Sequence, residues 1–419
     1  MKIKPKLIYN IAFFSIIFMY FKIIPVNIET QPILVVLLIP LFLLVNNNMI
    51  LTIKSEEKYL FIYLFIILFY FFISLFANPI DSFLYFIKFI LGPISYIFLL
   101  KNVELLEAKT LKIMTLILFF VSFIYLTHFP ILFNLLNSVL SIFINRYVIN
   151  YIGVRGINIL TPEPSYFVYF AMLLLFSFDF IEYKSKLPEH VFYRILIYFM
   201  CILTKSALVY AFLILYLAFK YIFFNSKLNV KTIIRNVSVF GTIFVFVIMC
   251  LKVFNIDLAN NRFIQVINSI QYQNLISMFF YSDASSGFRF LMNTIYILSI
   301  FIRPFGYGLG GMEKEWSKVA DFLNINYERN TMFKYSYTNS SLLHAQAYFP
   351  NVIGAVGIFS ILLVLFVYKN NRLDDIKLKN SLIIILTLFL WILQSNMFNP
   401  VFWVLIAFCK FNSEYKENN

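Results

Sequence analysis

Long apolar runs separated by short, Lys-bearing connections set the rhythm of this chain. The runs lie near 7–25, 31–47, 59–77, 82–100, 111–129, 165–182, 190–203, 206–224, 236–252, 350–368, 381–397 and 399–411. A membrane-crossing helix needs roughly 20 apolar residues, within about 17–25. The pattern therefore predicts an all-α, polytopic integral membrane protein of about twelve transmembrane helices, with residues 1–419 as one membrane domain. The run 190–203 is short, so it and 206–224 are either two half-buried helices or one long broken helix.

Two interruptions are long, about 130–164 and about 253–349, and both are expected to contain short interfacial helices. Within the second, 253–280 spaces Phe254, Leu258, Phe263, Val266, Ile267 and Ile270 as on one helix face, which suits an amphipathic helix lying on the membrane surface. Residues 281–287 predict a turn or helix cap. Phe288 to Arg303 then reads as a short apolar helix, interfacial or re-entrant, with Arg289 at its start.

Composition agrees with the membrane assignment. The chain is 61% hydrophobic and 13% charged, whereas a soluble domain is nearer half apolar and a quarter charged. The 53 phenylalanines and 28 tyrosines suit lipid-facing and interfacial positions. The net charge of +14 suggests nucleic acid until the charges are placed, because most fall in short loops between spans. Those loops fix orientation. With the N-terminus in the cytoplasm, Lys2, Lys4 and Lys6, then Lys54 and Lys58, Lys101, Lys109 and Lys112, Lys184, Lys186 and Arg194 all fall inside. Lys227, Lys231 and Arg235, Lys369, Arg372, Lys377 and Lys379, and Lys410 and Lys416 follow suit. The opposite connections near 26–30, 78–81 and 398–400 carry no Lys or Arg. Both termini are expected in the cytoplasm, and the MKIKPK start reads as a retained anchor rather than a cleaved signal.

Both long interruptions then face outward and carry cations against the usual bias. Arg146 and Arg155 lie in the first; Arg262, Arg289, Arg303, Lys314, Lys318, Arg329 and Lys334 lie in the second. Long loops translocate regardless of charge, which accounts for the scattered lysines. Arg155, Arg289 and Arg303 stand beside other chemistry. The stretch YIGVRGINILTPEPSYFVYFAM places Arg155 eight positions before Glu163, between apolar segments. Charges near a bilayer are costly unless paired or wetted. Pro162 and Pro164 also suit a helix start, and a helix N-terminus favours an anion.

Arg303 is followed by Pro-Phe-Gly-Tyr-Gly-Leu-Gly-Gly, and four of the chain's 11 glycines fall within 306–311. Bunched glycines such as Gly306 and Gly308 make a flexible turn or, after an Arg, a diphosphate cradle of N–H groups. Guanidinium forks match phosphate oxygens. The segment lacks the Lys–Ser/Thr pair of a nucleotide loop. His344, before the run 350–368, is either a hydrogen-bonded structural group or a general base. Lys205, in Thr204–Lys205–Ser206, either extends to the interface or joins the cationic pocket. Cys201, Cys250 and Cys409 have no metal or disulfide spacing, and His128, His190 and His344 are scattered, so no metal or cofactor is expected.

The order GVRGINILTPEPSYF, ILTKSALV, GFRFLMNTIYILSIFIRPFGYGLGG, HAQAYFPNVIGAVG resembles the Wzy-type O-antigen and capsule polymerases of the O-antigen ligase/polymerase superfamily, over roughly 145–365. Many relatives have Ser-Arg where this chain has Lys205–Ser206, and the His344 region lacks the Asn and Glu common in ligases. The resemblance implies an enzyme of the bacterial inner (cytoplasmic) membrane that polymerises undecaprenyl-diphosphate-linked oligosaccharide units at the periplasmic face. It implies a glycosyltransferase with no metal, working in polysaccharide biosynthesis (lipopolysaccharide or capsule) beside a flippase and a chain-length regulator. Arg155, Glu163, Arg289 and His344 would be catalytic; Arg303, Lys205, Gly306, Gly308 and Arg146 would bind substrate. The alternatives are a ligase acting on lipid A core and a flippase for the lipid-linked glycan. Nucleic acid is not expected.

Overall fold

The structure, a computed structural model, describes residues 4–23, 30–46, 57–76, 79–127, 129–144, 156–185, 190–218, 284–325, 327, 347–370 and 399–409. Among these residues, helices are the only repeating element; one isolated bridge joins Phe21 to Ile144. The expected spans at 236–252 and 381–397, the surface helix at 253–280, and Arg146, Arg155, His128 and His344 lie outside the described residues.

The helices, in order, are α1 (Pro5–Ser15), α2 (Ile33–Val45), α3 (Lys58–Leu75), α4 (Pro79–Ser95), α5 (Ala108–Thr127), α6 (Pro130–Phe143), α7 (Phe167–Ser185), α8 (Val191–Leu203), α9 (Ala207–Ala218), α10 (Ala284–Leu298), α11 (Met312–Phe322), α12 (Tyr348–Val356), α13 (Ile361–Asn370) and α14 (Pro400–Cys409). A wider helical turn, Tyr96–Leu100, prolongs α4, and a tight turn, Pro164–Tyr166, leads into α7. Among the described residues five stretches are long and apolar enough to cross a membrane: Lys58–Leu75, Pro79–Leu100, Ala108–Thr127, Pro164–Ser185 and Tyr348–Lys369. Each matches an expected run; α1, α2, α8 and α9 match theirs as shorter apolar helices.

Side-chain placement follows the two solvents such a protein meets. α3 turns Phe65, Phe69, Phe72 and Ile73 outward, and α5 does the same with Phe120 and Phe123. Apolar outer faces on helices whose backbone bonds are satisfied internally are what a bilayer demands. α7 is the opposite case: it packs against α5, α8, α9 and α14, and nearly every side chain from Phe167 to Phe178 is buried. This central helix carries the Glu163 loop at its N-terminal end.

The ends of the long helices gather distinct partners. At the end holding the starts of α3 and α5 and the finish of α7, Lys6 pairs with Glu107 at 2.8 Å, Lys101 with Glu57 at 3.2 Å, and Lys184 Nζ donates to the Glu104 carbonyl at 2.8 Å. Asn10 ties the same corner. Its amide donates to the Lys6 and Leu105 carbonyls and its oxygen accepts from Glu107 N and Thr110 Oγ1. The amide's bonding capacity is fully used.

The segment after 130 contains a short helix, as expected: α6 is too short to cross, and it leaves Ile131, Leu135, Val139 and Ile142 uncovered along one face. Other expectations are corrected by position. Residues 284–287 are the first turn of α10 and not a connecting turn, so Arg289 sits in the second turn. Arg194 is no loop cation, since it lies within α8 and is buried. The run 350–368 is helical but broken, with Gly357 at φ +56 between α12 and the turn Gly357–Ser360. α11, directly after the glycines, was not foreseen.

Candidate functional site

Glu163 and Arg289 meet although 126 positions separate them in the sequence (289 − 163). Arg289 Nη2 lies 3.9 Å from Glu163 Oε2, with side chains 20% and 39% exposed. The separation is at the outer limit of an ion pair, so the two charges attract without a tight hydrogen-bonded fork. Both remain open to a third group.

The Glu163 side is built from backbone constraints. Glu163 is extended, at φ −139 and ψ 154, and its carbonyl accepts the Tyr166 N–H and the Thr161 hydroxyl. Pro164 occupies the first position of the following turn, where its missing N–H costs nothing. Ser165 Oγ sits 3.5 Å from Glu163 Oε2. Upstream, the Asn158 amide donates to the Pro162 carbonyl and Leu160 adopts φ +52. A branched residue in the left-handed region costs about 1–3 kcal/mol and persists only where surroundings over-determine it.

That loop rests on the corner between α8 and α9. Ile157 N donates to the Leu203 carbonyl at 3.1 Å, and a Cβ on Gly156 would overlap the Thr204 carbonyl. Only Gly permits this approach. Lys205, half-buried in the corner, holds φ +47, and its N–H closes α8 on the Ile202 carbonyl. The structure thus places Lys205 beside Gly156, the neighbour of Arg155 in sequence.

The Arg289 side extends to the glycine segment through α10. Arg303 packs its guanidinium 4.7 Å from the Tyr307 ring centroid. Burial pushes the Tyr307 hydroxyl up, with Arg303 pulling the other way. Gly306, Gly308 and Gly310 all have φ near +80. Their segment lies along the break between α12 and α13: Tyr307 N donates to Gly354 O, Gly308 N to Ala355 O, and Ile358 N to Pro304 O. The carbonyls that α12 leaves unsatisfied at its end are taken up by these donors.

This arrangement changes the role expected of the glycines. The N–H groups of Gly306, Tyr307, Gly308, Leu309 and Gly311 all donate within the protein. They form no open nest for phosphate oxygens. The glycines instead let residues 305–309 be tied to both α3 and α12.

Sequence reasoning missed a second charged constellation. Arg194 Nη2 bonds Asp179 Oδ1 and Glu182 Oε2, each at 2.5 Å, and Tyr216 donates to Asp179 Oδ2 at 2.6 Å. His190 lies buried beside Phe178, with ring centroids 5.2 Å apart. The signal was present, because Asp179 and Glu182 stand three apart within an apolar helix and intramembrane charges need partners. This network occupies the far end of α7 from Glu163. Among the described residues no group of three or more His, Cys, Asp or Glu has metal-binding geometry. Comparison with protein-family models, curated proteins and solved structures found no match to this chain.

Proposed function

We propose that this chain is a polysaccharide polymerase that acts on polyprenyl-diphosphate-linked oligosaccharides at the outer face of the bacterial inner membrane, with both termini in the cytoplasm. The observation that carries the proposal is the loose Glu163–Arg289 pair at 3.9 Å. Both partners were singled out by sequence, and they meet at the helix ends that the Lys and Arg distribution assigns to the outside.

In the proposed reaction the anomeric C–O bond to diphosphate breaks, and the electron pair leaves with the lipid diphosphate. A hydroxyl oxygen of the acceptor unit forms the new C–O bond and loses its proton. Arg289, with Arg303, Arg155, Arg146 and Lys205 in supporting roles, neutralises the departing diphosphate; such preorganised charge is worth several kcal/mol. Glu163 or His344 takes the acceptor proton. The loose pair links these steps. Diphosphate engaging Arg289 displaces Glu163, and the freed carboxylate then serves as base. Gly306 and Gly308 support Arg303 by shaping its segment. The bilayer supplies the substrate laterally; a flippase and a chain-length regulator are the expected partners.

A flippase needs cations along a central cavity and no long outer segments, whereas the sequence places Arg146, Arg155, Arg289 and Arg303 in its two long segments. Complementation of a polymerase-deficient strain tests the reading. Arg289→Ala and Arg155→Ala are expected to abolish long-chain polysaccharide, and Glu163→Gln to leave single repeat units on lipid. Normal chain-length ladders from both arginine variants would refute it. Loss of transfer to lipid A core, with polymer still made on the lipid carrier, would identify a ligase.

A further inference from the structure

Lys88 is a cation set well inside an apolar helix. It lies nine positions after Pro79 (88 − 79) in the stretch Pro79–Leu100, which is long and apolar enough to cross a membrane. At the helical rise that is about 13 Å from the helix start. α4 has two sides. Ile80 and Phe83 are exposed, and Ile87, Ile90 and Ile94 follow on the same side, as lipid contact requires. Lys88 is on the other. Its neighbours three before, four after and seven after, Tyr85, Gly92 and Ser95, are all buried, whereas Lys88 itself is only half-buried. A lysine that merely extends its charge along the bilayer belongs on the lipid side; this one opens on the interior of the bundle.

Nothing there offsets its charge. Lys88 Nζ sits 4.4 Å from the Tyr85 ring centroid, which aims it toward the start of α4. Among the described residues it makes neither an ion pair nor a hydrogen bond, and the one acid of α4, Asp81, is exposed two turns away. An ammonium carries three N–H donors, and an unpaired charge within a span is expensive.

Two elements border Lys88 along this face. Toward the helix start the glycine segment crosses it: the Cβ position of Gly310 is 3.3 Å from the Tyr85 ring and 3.4 Å from Asp81 Cβ, and Leu309 N is held by Ser74 Oγ. Toward the other end Trp403 of α14 lies on Gly92, where a Cβ would overlap the indole. α14 runs parallel to α4, since Phe408, further along, meets Phe180, one turn short of the Lys184 that bonds Glu104. Its start at Pro400, one turn before Trp403, is therefore level with Lys88. A helix N-terminus is electropositive, so α14 adds to the charge of Lys88 instead of offsetting it. Two positive groups at one level of an apolar interior call for an anion.

We infer that Lys88 is a further substrate-binding cation, whose ammonium holds a phosphate-bearing lipid headgroup reached from the Asp81 end of α4, beneath the glycine segment. Lysine binds phosphate as a point charge. The inference rests on the proposed function for the identity of the headgroup, the diphosphate of the lipid-linked oligosaccharide, and adds to the outward arginines a cation placed within a span.

Retention of undecaprenyl diphosphate by the purified protein, read by native mass spectrometry with undecaprenol as neutral control, tests it. Wild type is expected to hold the diphosphate lipid in preference to undecaprenol. Lys88→Met removes the charge and keeps the length; it is expected to weaken that retention about tenfold, the scale of one charge-assisted contact. Lys88→Arg is expected to keep most of it. Asp81→Asn, at an exposed position, removes the acid that repels the anion and is expected to raise retention; it decides the matter if Lys88→Met does not fold. Equal retention of both lipids by wild type, or unchanged retention in Lys88→Met or Asp81→Asn, overturns the inference. Displacement by inorganic diphosphate at equal concentration overturns a lipid headgroup as the source. Lipid loss in Lys88→Met beside normal ladders from Arg155→Ala and Arg289→Ala would keep this site and remove the polymerase; full retention in Lys88→Met beside lost ladders would do the reverse.

Discussion

Ser74 Oγ accepts the Leu309 N–H at 3.0 Å, joining positions 235 apart in sequence. The bond is buried, and the Ser74 carbonyl in turn accepts from Ser82. Ser74→Ala leaves the Leu309 N–H without its acceptor in an apolar setting. An orphaned buried donor costs about 1–3 kcal/mol. A lowered unfolding temperature in detergent is expected, with Ser74→Thr closer to wild type because the hydroxyl is kept.

Gly357 is the second hinge of the same assembly. Its φ of +56 favours glycine, and a Cβ there would overlap the Pro304 carbonyl. Gly357→Ala meets both penalties, backbone strain of about 1–3 kcal/mol and separation of Pro304 from Ile358 N. Size-exclusion profiles of a fluorescent fusion should show markedly less folded protein. A substitution without effect would mean that the segment tolerates undocking.

Much of this was legible in the sequence, and the reason is physical. Membrane helices declare themselves through length and apolarity, so Lys58–Leu75 or Pro164–Ser185 needed no tertiary information. Glu163 and Arg289 were visible because charge beside lipid is expensive. What stayed hidden depends on pairing across the chain. Nothing local says that Gly308 N will cap the Ala355 carbonyl, so the glycines resembled a phosphate nest. Arg194 resembled a loop cation because its partners Asp179 and Glu182 sit on the preceding helix. The bounds of α6 stayed hidden because its 14 residues are too few to register as a span.

Arg194 gives the largest expected stability effect. Its guanidinium offsets Asp179 and Glu182 in a nearly closed environment. Removing one partner of such a pair costs about 3–5 kcal/mol, because the remaining charge is left uncompensated. Arg194→Leu is expected to abolish folding, and Arg194→Leu with Asp179→Asn and Glu182→Gln to restore much of it. Thermal unfolding of the two proteins, side by side, measures the difference. If the triple variant is no better than the single one, packing rather than charge is what Arg194 supplies.

Lys205 permits charge and conformation to be separated. Its φ of +47 places a long side chain in the left-handed region, beside the Gly156 contact. Asn tolerates that region better than most residues, so Lys205→Asn removes the charge while leaving the corner's backbone in place. Lys205→Leu removes the charge and keeps the strain. If Lys205 serves the cationic site, both variants shorten the polysaccharide to a similar degree, while Lys205→Asn unfolds at or above the wild-type temperature. If Lys205 only closes α8, Lys205→Asn produces wild-type ladders. The two readouts move independently because a lost cation acts on the diphosphate, whereas relief of the backbone acts on folding.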